Sequence, residues 1–265
     1  MLAAVAQFTS STDPTANREA VAKLTAEAAA GGAELVVFPE GAARDFGEPT
    51  EPLAPVAEPL DGPFISALAR LAREHRTVIV AGMLERIESS SSHAFNTVVA
   101  VGTDGSLLGA YRKLHLFDAF GHKESARIRA GDGETLTFAH GGRAFGVLTC
   151  YDLRFPELAR RLVDQGADTL LIPAAWVQGP IKEDQWTTLV RARAIESTCF
   201  VLASGQVGNV YCGRSLIVDP MGVTVAALGE ESGVAVADLS AERVAGVRAK
   251  LPCLEHRRFT VHLAR

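Results

Sequence analysis

Cysteine, aromatic residues and clustered basic charge are all scarce in this chain of 265 residues, and each scarcity removes a class of protein. The four cysteines, Cys150, Cys199, Cys212 and Cys253, lie far apart and show no Cys-x-x-Cys spacing. That disfavours a zinc site or a thioredoxin-type motif. It fits a reducing cytoplasm, where disulfides are rare and a catalytic thiol is permitted. Aromatic residues make up only 6% of the chain. The longest basic run is Arg257-Arg258 beside His256, and the net charge is −5, so neither a nucleic acid nor a membrane surface is an expected partner. No apolar run is long enough to span a bilayer. Met1–Phe8 lacks a basic start and runs into Thr9-Ser10-Ser11-Thr12, which reads as a first strand rather than a signal peptide. No Gly-x-Gly-x-x-Gly follows a strand, so a dinucleotide-binding fold is not indicated.

What is present is an ordinary soluble composition, 48% apolar and 22% charged. No repeat or linker divides it, so residues 1–265 are expected to form one domain. Ala3–Phe8 reads as a strand, and Asp13-Pro14 as the cap and first residue of a helix whose inner face is Val21, Leu24 and Ala28. Glu34–Phe38 is a compact strand broken by Pro39-Glu40-Gly41. The Pro- and acid-rich stretch Glu48–Pro63 reads as an ordered surface loop. A helix over Phe64–His75 and a strand over Thr77–Ala81 follow. Ala94–Val101 and Ser106–Tyr111 flank the turn Gly102-Thr103-Asp104-Gly105. Arg112–Gly133 is a long irregular stretch, a length that usually signals function. Glu134–Phe138 and Ala144–Leu148 form another hairpin, and Ala167–Ile172 is a strand ending at Pro173-Ala174-Ala175-Trp176. A helix spans Lys182–Ser197, with strands at Cys199–Ser204, Arg214–Val218, Val223–Ala226 and Val234–Asp238 and a short helix from Ala241. Strand–helix alternation mixed with hairpins predicts a layered α/β fold with two mixed sheets stacked between helices.

Three residues stand where strands end. Cys150 follows the β-prone run Ala144–Leu148 and precedes a helix opened by Pro156. A thiol at such a turn, near helix N-terminal amides, is placed for an altered pKa and exposed sulfur, although an isolated cysteine is more often a buried structural residue. Glu40 ends the second strand; taken alone it reads as a solvated loop carboxylate. Lys113 lies in Tyr111-Arg112-Lys113-Leu114-His115-Leu116-Phe117; the alternative for it is a stem that snorkels along the surface. Together they fit one chemistry. A thiol of ordinary pKa is only a few per cent thiolate at pH 7. A carboxylate beside it takes the proton and later returns it to a leaving amine. An ammonium offsets the charge and donates to a developing oxyanion. Glutamate, lysine and cysteine thus make an acyl-transfer site that uses no histidine, metal or cofactor.

The ordered stretches Val37-Phe38-Pro39-Glu40, Tyr111–Phe117, Leu148–Glu157, Arg191-Ala192-Arg193-Ala194-Ile195-Glu196 and Gly213–Gly222 resemble the nitrilase superfamily, the carbon–nitrogen hydrolases, across essentially the whole chain. The resemblance implies a four-layer αββα sandwich that pairs as a homodimer or higher oligomer, with no cofactor and no metal. It implies Glu40 as general base and acid, Lys113 as transition-state stabiliser, Cys150 as nucleophile, and Glu124 as a second, positioning glutamate. Cys150-Tyr151-Asp152-Leu153-Arg154-Phe155-Pro156-Glu157-Leu158 is most similar to the small amidase branch, which includes omega-amidase and deaminated glutathione amidase. That implies a cysteine-dependent amidase acting on a small linear amide such as a 2-oxo acid amide, releasing ammonia or an amine through a thioester. Short-chain aliphatic amidase, nitrilase, N-carbamoyl amino acid amidohydrolase and a silent scaffold on the same fold are the alternatives. Tyr151 is expected to offer its backbone N–H to the oxyanion. Arg154 either binds a substrate carboxylate or holds the turn by an ion pair with Asp152 or Glu157. Trp176 either walls the pocket or belongs to the core, and His115 is read as a satisfied loop histidine.

Overall fold

The computed structural model describes residues 1–263; the last two residues of the expected 1–265 unit lie outside the described residues. The strands are β1 (Leu2–Gln7), β2 (Leu35–Val37), β3 (Val78–Arg86), β4 (Ala94–Val101), β5 (Leu107–Arg112), β6 (Ile128–Arg129), β7 (Leu136–His140) and β8 (Arg143–Val147). They continue as β9 (Thr169–Ala174), β10 (Phe200–Gly205), β11 (Val207–Gly208), β12 (Tyr211–Cys212), β13 (Leu216–Val218), β14 (Thr224–Ala227) and β15 (Gly233–Asp238). The helices are α1 (Pro14–Ala30), α2 (Pro63–His75), α3 (Pro156–Asp164), α4 (Lys182–Ser197), α5 (Ala241–Lys250) and α6 (Cys253–His256).

Two mixed sheets result. One has the order β15-β1-β2-β3-β4-β5, with β6 added beside β4; the other has the order β14-β13-β10-β9-β8-β7. Each has three parallel strands at its centre, β1-β2-β3 in the first and β8-β9-β10 in the second, and antiparallel pairings outside them, except that the short β6 runs parallel to β4. In such a sheet the loops at the carboxyl ends of parallel strands open into a ligand-binding crevice. The sequence pattern explains the stacking. Along β1, Ala3 and Val5 join a core cluster with Val147, Leu171 and Val201 of the second sheet. The alternate residues Ala4 and Ala6 pack with Val21 and Leu24 of α1 and Leu68 and Leu71 of α2. This two-residue period buries both faces of the strand. On the far side, Leu158 and Leu162 of α3 and Trp186 and Val190 of α4 cover the second sheet. The sandwich is therefore helix, sheet, sheet, helix.

Several element boundaries differ from the sequence expectation for identifiable reasons. β3 does not stop at Ala81 but runs to Arg86, because it pairs with the whole of β4 from Ile79↔Val101 to Arg86↔Ala94. Its polar end is absorbed: buried Glu85 accepts from Thr97 Oγ1 at 2.7 Å and from Arg112 Nε at 2.9 Å. The expected strand Arg214–Val218 is shortened to β13, since Arg214 takes φ +55° and leaves the extended region. The stretch Arg112–Gly133 is not wholly irregular; it holds a 3-10 turn at Glu124–Ala126 and the short β6. The loop Glu48–Pro63 likewise contains a 3-10 turn at Ala54–Val56. No expectation covered the β11–β12 hairpin. Asp13 caps α1 as its sequence position suggests, its Oδ1 accepting from Thr15 N at 2.8 Å.

Candidate active site

Glu40 lies just past β2, Lys113 just past β5 and Cys150 just past β8, and the stacking of the two sheets brings these ends to one cavity. Glu40 reaches across the sandwich: its Oε2 accepts from Ala175 N, just past β9, at 2.8 Å. Its own carbonyl accepts from Gln206 Nε2 at 2.8 Å. The other carboxylate oxygen, Oε1, accepts from Lys113 Nζ at 2.9 Å and Asn96 Nδ2 at 2.7 Å.

Glu124 completes a network with the same two donors. Lys113 Nζ lies 2.9 Å from Glu124 Oε2 and Asn96 Nδ2 lies 3.0 Å from Glu124 Oε1, while Phe117 N donates to Glu124 Oε2 at 2.6 Å. Glu40, Lys113 and Glu124 are 2%, 2% and 7% exposed, so these charges interact with little screening from solvent. Burial alone would depress the lysine, but Glu124 and then Glu40 outweigh it and hold Lys113 well above the ordinary lysine range. The ammonium is charged wherever the fold persists near neutral pH.

Cys150 opens a 3-10 turn, Cys150–Arg154, at φ +48°. A non-glycine residue in the left-handed region is costly, by about 1–3 kcal/mol, and such strain clusters at functional positions. The turn is held from several directions. Asp152, fully buried, accepts from Thr149 N at 3.0 Å, Tyr111 Oη at 2.8 Å and His115 N at 3.1 Å, and its Oδ1 lies 2.7 Å from His115 Nδ1. Arg193 of α4 donates Nε and Nη2 to Leu153 O at 3.1 and 2.6 Å. The His115 ring stacks on Phe155 with centroids 3.8 Å apart. Burial pushes the Cys150 thiol well up and Glu40 adds to the effect, against the pull of Lys113. The resting sulfur is therefore protonated, beside a carboxylate that can accept the proton. Tyr151 N–H, in the first turn of that 3-10 helix, has no acceptor within the helix.

The cavity in front of the sulfur is about 1330 Å³. Tyr151, Arg154 and Trp176 line it together with the four residues above. The ion pair considered for Arg154 does not form: its Nη2 donates to Gln185 Oε1 at 2.8 Å, and its guanidinium carbon lies 4.8 Å from the Trp176 ring centroid. Trp176 is both wall and core, 3% exposed and within 5.4 Å of the Trp186 ring centroid. The loop over the other side is tied down. Arg127 Nη1 donates to the carbonyls of Phe46, Glu48 and Glu51 at 3.1, 2.9 and 2.9 Å, and Tyr211 Oη donates to Asp45 Oδ2 at 3.1 Å.

Sequence reasoning missed Asn96 and Gln206, and gave no role to Ala175 at its strand end or to Arg193 in the stretch Arg191–Glu196. The backbone donor at Ala175 leaves no side-chain signal, and Asn96 is an internal strand residue whose only hint is a polar side chain in the apolar run of β4. Gly82 was missed too. A Cβ there would lie 2.6 Å from Glu40 Cα and 2.7 Å from Gly41 N, so the absent side chain is what lets β3 approach the Glu40 backbone. Among the described residues no group of three or more His, Cys, Asp or Glu is arranged to hold a metal ion, and no helix is long and apolar enough to cross a membrane.

A buried carboxylate, an ammonium and a strained thiol at the strand ends of a doubly sheeted sandwich define a cysteine hydrolase of the acyl-transfer type. The carbon–nitrogen hydrolase family model matches residues 2–249, and the chain belongs to that family. It is a hydrolase of carbon–nitrogen bonds other than peptide bonds. It is 41% identical over 260 residues to a deaminated glutathione amidase of Escherichia coli, covering 98% of each chain. A CN-hydrolase superfamily structure from Xanthomonas campestris, with an arsenic adduct in its active site, aligns at TM-score 0.87 with 31% identity over 99% of both chains. An amidase from Nesterenkonia sp., in which acrylamide has added at the active site cysteine, aligns at TM-score 0.81 with 26% identity over 95% of this chain and 98% of the other.

Proposed function

We propose that the enzyme hydrolyses a 2-oxo acid amide of the deaminated glutathione type, through a thioester on Cys150. The observation that carries the mechanism is the hydrogen-bonded cluster of Glu40, Lys113 and Glu124 beside a thiol held at positive φ. Glu40 takes the Cys150 proton as sulfur attacks the amide carbonyl. Lys113 Nζ and Tyr151 N–H stabilise the oxyanion. The tetrahedral intermediate collapses as Glu40 protonates the departing ammonia or amine. Glu40 then deprotonates a water that attacks the thioester, and the carboxylate product leaves as the thiol regains its proton. Glu124 does no proton transfer in this scheme. With Asn96 it fixes Lys113 and Glu40 in one register, and its negative charge balances the ammonium.

Two features support the substrate class. The cavity of about 1330 Å³ has room for more than a short aliphatic amide. The relative that shares 41% identity over nearly the whole chain is a deaminated glutathione amidase. We also infer a homodimer in a reducing cytoplasm. Exposed Ile195 on α4 and exposed Met221, Val223 and Val225 in the β13–β14 hairpin support the first; four free cysteines support the second.

The test is ammonia or amine release by purified protein offered deaminated glutathione, 2-oxoglutaramate, propionamide and a short nitrile, with Cys150→Ala in parallel. Release from the 2-oxo acid amides that vanishes in Cys150→Ala is the expected result. Release from propionamide or the nitrile alone would overturn the substrate class, and full activity of Cys150→Ala would overturn the mechanism.

A further inference from the structure

Lys182 stands at the first position of α4 on the cavity wall, and the proposed chemistry does not use it. Its Nζ lies 4.9 Å from the Phe117 ring centroid, 5.2 Å from Phe120 and 5.1 Å from Trp176, so three aromatic rings surround one ammonium. Such rings favour a cation over their faces without neutralising it. Among the described residues the ammonium has no carboxylate partner and no hydrogen-bond acceptor; neighbouring Glu183 instead accepts from Gly179 N at 3.3 Å. Burial holds Lys182 below the ordinary lysine range, and the nearby Arg154 charge pulls the same way.

The backbone is built to hold the side chain there. Ile181, the preceding residue, sits at φ +63°, a conformation that a β-branched residue rarely adopts. Trp176 Nε1 donates to Lys182 O at 2.9 Å, tying the lysine to the ring it covers. Arg154 lies over the same Trp176 ring, and its one protein acceptor among the described residues is the neutral amide oxygen of Gln185. Two cations on one wall of a half-enclosed cavity repel each other, and no anionic side chain pairs with either. An anion that enters with the substrate supplies the missing partner.

We propose that Lys182, beside Arg154, forms an anion subsite that receives a carboxylate carried by the amide substrate, and that Lys182 sets the selectivity for anionic over neutral amides. The inference rests on the amidase reading above and adds to it the residue that reads the substrate's negative charge. A carboxylate on the acyl side and one on the leaving side share this chemistry, so the test separates them.

Binding is read from tryptophan fluorescence, with Trp176 in the cage as reporter and glutarate as the probe. Lys182→Met keeps the stem and fills the cage without the charge; it is expected to weaken glutarate binding about 10- to 100-fold, the range of a charge-assisted contact. Lys182→Arg restores binding to within about threefold of wild type, which a merely structural role would not predict. Glutarate affinity of Lys182→Met within twofold of wild type, with an unchanged melting temperature, overturns the proposal. Turnover is then compared on glutaramate, with its carboxylate on the acyl side, N-butyrylglycine, with it on the leaving side, and neutral pentanamide. The expected result is at least tenfold preference for one of the two anionic amides, a ratio that collapses in Lys182→Met and identifies the side. Equal kcat/KM on all three overturns the anion subsite while leaving the amidase reading intact. Lysine-dependent glutarate binding without turnover of any of the three upholds the subsite, and if 2-oxoglutaramate and deaminated glutathione are not turned over either, the amidase reading alone fails.

Discussion

Gly82→Ala is the sharpest test of how the fold positions Glu40, the proposed base. The added methyl would lie 2.6 Å from Glu40 Cα, 2.7 Å from Gly41 N and 2.9 Å from Pro39 O, all of them backbone atoms that cannot swing aside. Restoring ordinary contact at 3.4 Å moves the Glu40 backbone by roughly 0.8 Å relative to β3. That stretches the carboxylate away from Ala175 N, Lys113 Nζ and Asn96 Nδ2, now 2.8, 2.9 and 2.7 Å distant. A misplacement of about 1 Å costs on the order of 100-fold in rate, so kcat is expected to fall about 30- to 100-fold with KM changed little. Overpacking should also lower stability by about 1–3 kcal/mol, leaving a folded protein whose kinetics can be measured. The assay is ammonia release with a melting curve on the same sample. Gly246→Ala in α5 is the control: its Cβ meets nothing within 4 Å, so activity should hold and stability should rise by about 0.5–1 kcal/mol. A Gly82→Ala enzyme within threefold of wild type would refute the claim that this contact sets the position of Glu40.

Two further perturbations reach other parts of the molecule. Arg127→Ala removes the donor shared by the carbonyls of Phe46, Glu48 and Glu51, so the loop should become cleavable by protease and KM should rise several-fold; an unchanged cleavage rate would show that the loop is held by other contacts. Buried Cys199 has its thiol pushed up from 9.0 to about 12, so the folded state holds that proton more tightly than the unfolded state does. Its contribution is complete below pH 9 and is lost as pH rises toward about 12, at most about 4 kcal/mol over that window. Urea midpoints measured against pH should therefore fall less steeply above pH 9 in Cys199→Ala; identical slopes would dismiss the effect.

The sequence by itself determined most of the local structure and named Glu40, Lys113 and Cys150 as the candidate residues. The short apolar run Ala3–Phe8 read as a strand, Asp13-Pro14 as a helix start, and Glu40, Lys113 and Cys150 each followed a run that read as a strand. Those signals are short-range, because a strand period or a helix cap is decided by residues a few positions apart. Tertiary structure decided everything that depends on which strand ends meet. Nothing near residue 96 announces that Asn96 will bridge Glu40 and Glu124, since the partners lie 56 and 28 residues away. Nothing in Val78–Arg86 marks Gly82 as the place where the Glu40 backbone passes. The fate of Arg154 was open in the chain for the same reason: Asp152 and Glu157 are its sequence neighbours, but Asp152 is consumed by Thr149, Tyr111 and His115, and Gln185, 31 residues on, takes the guanidinium instead. Lys182 sits in its cage of Phe117, Phe120 and Trp176 because two loops from different sheets close over the strand ends, and only the packed sandwich brings those loops together.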